Sequence, residues 1–240
     1  MMQGMQKLMS RMRSACEHYN MISEGDKIAV ALSGGKDSTA MLIALDRMRS
    51  FYPVHYDIVA LTVDMRFDGV DGDYEALTQL CLSRGIEYHI IPTNLAQIIF
   101  DVRKEKNPCS LCAKMRRGIL HNAAKEYSCN KIALGHHMDD AVETFLMNLL
   151  NGAAIDCFSP VTYLSRRELY VIRPMIFASE SIVAGAARHE GLPVVKSKCP
   201  RDGRSERAET KALVASLNKR YPQLREKIIE AMQKGSIAGW

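Results

Sequence analysis

The chain has 240 residues, of which 47% are hydrophobic and 25% charged, with a formal net charge of +5. That balance fits a globular protein with one main domain and excludes a disordered chain. No apolar run approaches the roughly 20 residues that a membrane-spanning helix needs. The N-terminus carries Leu8, Met12, Ala15, Cys16 and Tyr19 at helical spacing, interrupted by Lys7, Arg11 and Arg13. It therefore lacks the continuous apolar centre of a signal peptide, and a cytoplasmic location is expected. Seven cysteines at irregular spacing argue against a secreted disulfide framework and for thiols, metal ligation or redox work.

In chain order, an N-terminal helix over 1–24 is followed by a β-rich run, Lys27 to Leu32, a glycine loop, and a helical pattern from Ser38 to Ser50. The cycle recurs. His55 to Asp64 predicts a second strand, Asp73 to Gly85 a helix, and Ile86 to Pro92 a third strand. Asn130 to Gly135 predicts a fourth strand, the following stretch to Gly152 a helix, and Leu169 to Ile176 a fifth strand. Such alternation predicts an α/β fold with an open, parallel, five-stranded sheet and helices on both faces. The expected organisation is a main domain over 25–195 and a basic helical extension over 196–240, parted where Gly, Pro, Lys and Ser accumulate between Arg188 and Gly203.

In such folds ligands bind beyond the carboxyl ends of the strands. Two polar loops occupy that position, Ala31 to Thr39 (ALSGGKDST) and Leu134 to Asp140 (LGHHMDD). In the first, Gly34 and Gly35 permit positive φ and close backbone approach, and the following helix offers unpaired N–H groups to an anion. Ser33, Ser38 and Thr39 add hydroxyls and Lys36 a point charge. A Walker A loop would read G-x-x-x-x-G-K-[ST]; here position 30 is Val, and Asp37 follows Lys36. A carboxylate beside polyphosphate is repelled unless a divalent cation lies between them, so Asp37 predicts Mg²⁺. His136 and His137 are read as helix-capping or core residues as readily as functional ones.

Cys109 and Cys112 stand three apart after Pro108, at the expected start of a helix, so both thiols can face one point. Cys199 lies in KSKCPRDGR, a polar and basic stretch that favours thiolate. Zinc, an iron–sulfur cluster and a redox disulfide all remain open for the pair. Between Lys196 and Lys227 stand ten lysines and arginines against four acidic residues, so the rest of the chain sums to about −1. Such a segment is either a solvated helical face or a nucleic-acid contact. Lys114, Arg116 and Arg117 beside the cysteine pair, with Lys198, Arg201 and Arg204 beside Cys199, are the candidate RNA-binding residues.

The stretch SGGKDS, Ser33 to Ser38, resembles the signature of the PP-loop ATP pyrophosphatases, which share the adenine nucleotide alpha-hydrolase-like fold. The resemblance implies that ATP is cut between its α- and β-phosphates, and that Ala31, Leu32, Ser33, Gly34, Gly35, Lys36, Asp37, Ser38 and Thr39 contact it. It also implies an adenine pocket at Leu61 to Met65, with Val63 and Met65, and a second nucleotide loop with Gly135, His136 and Asp140. Asp37 and Asp139 are the implied Mg²⁺ residues. Adding Cys109, Cys112, the IRP of Ile172 to Pro174, Cys199 and KRYP (Lys219 to Pro222), the chain resembles the tRNA 2-thiocytidine synthetase group over Ile22 to Met232. That resemblance implies a 4Fe-4S cluster on Cys109, Cys112 and Cys199, with Asp37 as a further catalytic residue and Arg173 among the ATP contacts. It further implies a tRNA substrate, cytidine 32, a sulfur donor such as a cysteine desulfurase or inorganic sulfide, no membrane partner, and a possible homodimer. One departure is that Lys196 stands where the group's relatives carry a further cysteine. Three alternatives stand beside this reading: 2-thiouridine synthesis, lysidine-type amine ligation, and a non-catalytic ATP-binding redox or metal sensor.

Overall fold

The computed structural model describes residues 4–103, 108–196, 198–200 and 206–240. Helix α1 (Gly4–His18) leads into strand β1 (Asp26–Ala31), helix α2 (Lys36–Met48) and strand β2 (Tyr56–Asp64). Helix α3 (Glu75–Ser83), strand β3 (Glu87–Pro92), helix α4 (Pro108–Glu126), strand β4 (Lys131–Ala133) and helix α5 (Met138–Gly152) follow. Strands β5 (Val161–Leu164) and β6 (Leu169–Ile172) form a hairpin, and helices α6 (Glu180–His189), α7 (Glu206–Arg220) and α8 (Leu224–Lys234) complete the chain. No described helix is long and apolar enough to cross a membrane.

The sheet runs β3-β2-β1-β4-β6-β5, with every pairing parallel except β5 to β6. The five strands expected from the sequence are therefore extended by a sixth, antiparallel edge strand. Its four residues, VTYL, are only half-buried or exposed, so no apolar run marks them; pairing Tyr163 with Tyr170 of β6 makes the strand. The fifth strand also ends at Ile172, short of the expected Ile176, because Arg173 and Pro174 turn the chain out of the sheet. Beyond β1 the chain fills the sheet toward β3, and from β4 it fills the other side. The β1–β4 boundary is thus the point where strand order reverses, and a crevice opens there beyond the carboxyl ends.

Strands buried on both faces read as continuous apolar runs, which is why β1 and β2 show no clean alternation. Ile28, Val30, Ile58 and Ala60 face a core shared with α1, α2 and α6, whereas Ala29, Val59, Leu61 and Ile132 face one shared with α4. Helix α2 is apolar nearly all round. Every residue from Ser38 to Leu45 is buried, as a helix enclosed on all sides requires. At the end of the sheet away from the crevice, Lys131 Nζ lies 2.7 Å from Asp26 Oδ2 and donates to the Met21 carbonyl, pinning β4 to β1. Helices α7 and α8 pack on α5.

Candidate active site

Strand β1 leads into the crevice loop, where Ser33 and Gly35 stand on the cavity walls and Gly34 and Lys36 do not. Gly34 takes φ +84°, a left-handed conformation that a side chain disfavours, and its carbonyl accepts the Val195 N–H at 2.9 Å. Gly35 precedes α2 with no side-chain cap, so first-turn N–H groups face the crevice without one. The turn is braced from within: the Ser38 and Thr39 hydroxyls both donate to the Gly35 carbonyl, and the Ser33 N–H donates to Ser38 Oγ. Lys36 Nζ contacts Asp37 at 3.0 Å and Glu180 of α6 at 3.3 Å. Burial opposes its charge, but these two carboxylates raise its pKa, so it is a fixed cation at neutral pH.

The second loop follows β4. A Cβ on Gly135 would stand 3.4 Å from the Ser38 backbone, which places the two loops within van der Waals reach of each other. His137 caps α5: its Nδ1 accepts the Asp140 N–H, while Asp140 Oδ2 accepts the His137 N–H at 2.9 Å. It is the capping reading of this histidine that the geometry matches. His136 stacks on Phe158 and its Nδ1 accepts from Arg173 Nε at 3.3 Å. Burial, with the Arg173 charge, pulls His136 down to about 4, which keeps it a neutral acceptor. Arg173 is itself buried, and burial lowers it to about 10.

Two cavities meet at these loops. One, of about 500 Å³, is lined by Ala31, Leu32, Ser33, Asp37, Ser38, Val63, Gly135, His136 and Asp140, and by Arg116 and Arg117 of α4. The other, of about 590 Å³, shares Ser33, Val63 and Arg116 with it and continues past Gly35 and Met65 to Cys112, Lys198 and Cys199. A smaller recess of about 180 Å³ gathers Cys109, Cys112 and Cys199 against Phe67, Phe100, Pro108 and Arg116. Burial first, then the two neighbouring thiols, pushes Cys112 up, and Arg116 pulls it down. The remaining cysteines, Cys16, Cys81, Cys129 and Cys157, are buried elsewhere.

Several predicted residues lie off these walls. Thr39 is buried in α2. Asp139 is buried too, with Arg225 Nε of α8 2.5 Å from its Oδ1 and the Glu180 N–H on its Oδ2. Arg173 reaches the cavity of about 500 Å³ only through His136, to which it donates. Lys114 is exposed on α4, and Arg201 and Arg204 lie outside the described residues.

The family model described as a PP-loop domain matches residues 5–215. The chain belongs to the PP-loop family. Within that family it is 40% identical over 217 residues to the tRNA-cytidine(32) 2-sulfurtransferase of Syntrophotalea carbinolica, covering 89% of this chain and 83% of the relative. Its counterpart of the same name from Citrifermentans bemidjiense is 34% identical over 229 residues, covering 94% and 89%. Among solved structures, the U34-tRNA thiolase NcsA from Methanococcus maripaludis with its 4Fe-4S cluster superposes with a TM-score of 0.77. It is 26% identical, and the match covers 96% of this chain and 79% of that one.

The PP-loop is surrounded by residues that sequence reasoning did not reach. Arg207 of α7 lies 3.0 Å from Asp140 and 3.5 Å from Glu143, and Lys211 lies 2.6 Å from Glu180. Glu180 thus joins Lys36 of the PP-loop to α7, and hydrogen bonds from Lys211 and Lys36 hold its pKa down. No local pattern marks these pairs, because their partners stand 31 to 144 positions apart.

Proposed function

We propose that this chain is an ATP-dependent tRNA sulfurtransferase that activates the C2 oxygen of cytidine 32 as an adenylate and replaces it with sulfur. One observation carries this reading: the cavity at the PP-loop and the recess of the three cysteines open onto one crevice, sharing Cys112, Cys199 and Arg116. ATP activation and sulfur delivery then act on one C2–O2 group without transfer between distant sites.

The amide-like C2 of a pyrimidine resists sulfide because its oxygen leaves poorly. Attack of O2 on the α-phosphorus forms the adenylate and expels pyrophosphate. The uncapped N–H groups at the start of α2, with Lys36, meet the charge that grows on this leaving group. Asp37 and Asp140 line the same cavity and are the carboxylates suited to hold Mg²⁺, a hard cation that takes oxygen ligands. Sulfide then adds at C2, and AMP departs with the original oxygen. Arg116 and Arg117, exposed or half-buried at the mouth, supply charge for the RNA backbone.

The cysteines fit a cluster of the kind named for the thiolase. Three thiols line one recess with apolar Phe67, Phe100 and Pro108, a set that leaves one of four irons without a protein ligand. When bound, the cluster supplies an iron site that holds sulfur within reach of the activated carbon.

The test is nucleoside mass spectrometry of tRNA from cells with and without the protein, with anaerobic purification alongside. Disappearance of 2-thiocytidine with the gene, and brown protein absorbing near about 400 nm that pales on replacing Cys109, Cys112 or Cys199 by Ala, is the expected result. Loss of 2-thiouridine instead would move the substrate to that of the thiolase; unchanged nucleosides would reject the function.

A further inference from the structure

The cavity of about 590 Å³ runs from Ser33 and Gly35 of the PP-loop to a far wall unlike the nucleotide side. That wall is the loop after β2, with Phe67, Val70, Gly72 and Tyr74 around a carboxylate, Asp64. Asp64 is only 4% exposed, and its hydrogen-bond donors among the described residues are two backbone N–H groups and a phenol rather than a cation. Its Oδ1 accepts the Arg66 N–H at 3.1 Å and the Tyr74 hydroxyl at 3.3 Å, and its Oδ2 accepts the Gly72 N–H at 2.9 Å. A carboxylate offers about four lone-pair positions, so Oδ2 retains one. Tyr74 is tethered to Asp64 through its hydroxyl. A Cβ on Gly72 would stand 2.5 Å from its ring, so only glycine lets the ring lie there. Its phenol, spending its proton on Asp64, keeps lone pairs to accept with.

Enzymes that modify a base within folded RNA take it out of the stack, hold it between aromatic or apolar side chains, and read its Watson–Crick edge. An acidic side chain accepts from the exocyclic amine of cytosine, whereas uracil presents only a carbonyl there. We propose that this cavity receives the everted target pyrimidine, with Phe67 and Tyr74 as its walls and the Asp64–Tyr74 pair accepting from the N4 amine, so that cytidine is chosen over uridine. The inference rests on the tRNA reading above and names the residues that select its base. It leaves the adenine of ATP to the other cavity, whose walls include Leu61, Val63 and Leu134, and moves Met65, which lines the base cavity and not that one, out of the adenine pocket.

Two variants and a fluorescent anticodon stem-loop test it. Val70 is 58% exposed and lines the cavity, so Val70→Trp fills the space without disturbing the core. Pyrrolo-cytidine at the target position brightens when it leaves the stack. Wild-type protein is expected to brighten it at least about threefold and V70W not at all, with ATP affinity in the absence of RNA changed by less than about twofold. Asp64→Asn is expected to lower the cytidine-to-uridine thiolation ratio by roughly 5- to 150-fold, since such base-edge recognition is worth about 1–3 kcal/mol of discrimination. Should D64N unfold, Tyr74→Phe is expected to lower the same ratio in a ring of unchanged shape. Brightening by V70W equal to wild type, or a D64N or Y74F loss confined to ATP affinity, would overturn the proposal. If brightening depends on Val70 but no tRNA is thiolated, the base chamber stands and the sulfurtransferase reading fails.

Discussion

Replacing Gly34 by Ala probes the junction of the PP-loop with the segment that carries Cys199. At φ +84° an L side chain costs about 1–2 kcal/mol. The added Cβ would stand 2.8 Å from Val195 Cβ and 3.0 Å from its Cγ2. The closer of these is the root of the side chain, and the Val195 N–H is bonded to the Gly34 carbonyl, so no rotamer change relieves the overlap. The backbone around Val195 must move, an overpacking cost of about 1–3 kcal/mol. Together these give about 2–5 kcal/mol, or a melting point lower by roughly 5–15 °C for a chain of this size. The same shift moves Cys199, and a displacement of about 1 Å at a reacting centre costs about 100-fold in rate. Thermal unfolding and tRNA thiolation read the two effects. In the double variant with Val195→Gly the steric part should vanish, recovering at least about 1 kcal/mol beyond additivity. A G34A protein with wild-type melting and rate, or a double variant with no recovery, would refute the close approach as the cause.

Lys36→Ala should slow ATP cleavage by about 100- to 1,000-fold while leaving the fold intact, read as pyrophosphate release in the presence of tRNA. Lys131→Ala leaves the Asp26 carboxylate buried without its cation and should cost about 3–5 kcal/mol in denaturant unfolding, with ATP affinity unchanged because the pair lies at the opposite end of the sheet. His136 sits near 4 in the folded protein against an ordinary 6.5, so the unfolded chain binds the extra proton between these values. Stability should therefore be complete above about pH 6.5 and fall as pH drops toward 4; His136→Gln should flatten that limb, as followed by melting temperature against pH. tRNA affinity should weaken steeply between about 50 and 200 mM salt, and less steeply after Arg116→Ala or Arg117→Ala, as titrations at several salt concentrations would show.

The glycine loop was legible because its chemistry is local: glycines, hydroxyls, a lysine and a carboxylate fall within nine residues after an apolar strand. Cys109 and Cys112 were legible for the same reason. Joining Cys199 to them rested on family resemblance, since nothing in the spacing of residues almost ninety positions apart requires them to meet. Strand β5 escaped because edge strands one face of which is wet carry no apolar run. Asp139 shows the limit most clearly. Its place beside Asp140 made it a metal candidate, yet the register of α5 turns it toward α8, where Arg225 meets it. Asp64 and Tyr74 gave no local sign of a shared pocket, because the loop between them brings them together only in three dimensions.

The enclosure of α2 on every side sets how this protein can respond to its ligands. With Ser38 to Leu45 buried, the helix that presents the phosphate-facing N–H groups cannot tilt or slide without opening the core. Its geometry is fixed before ATP arrives, so little ordering entropy is lost at that wall on binding. The opposite wall is built otherwise: there α4, Lys198 and Cys199 bring exposed or half-buried side chains to the crevice. A ligand between them meets a preformed surface on one side and solvated side chains on the side that carries the thiols.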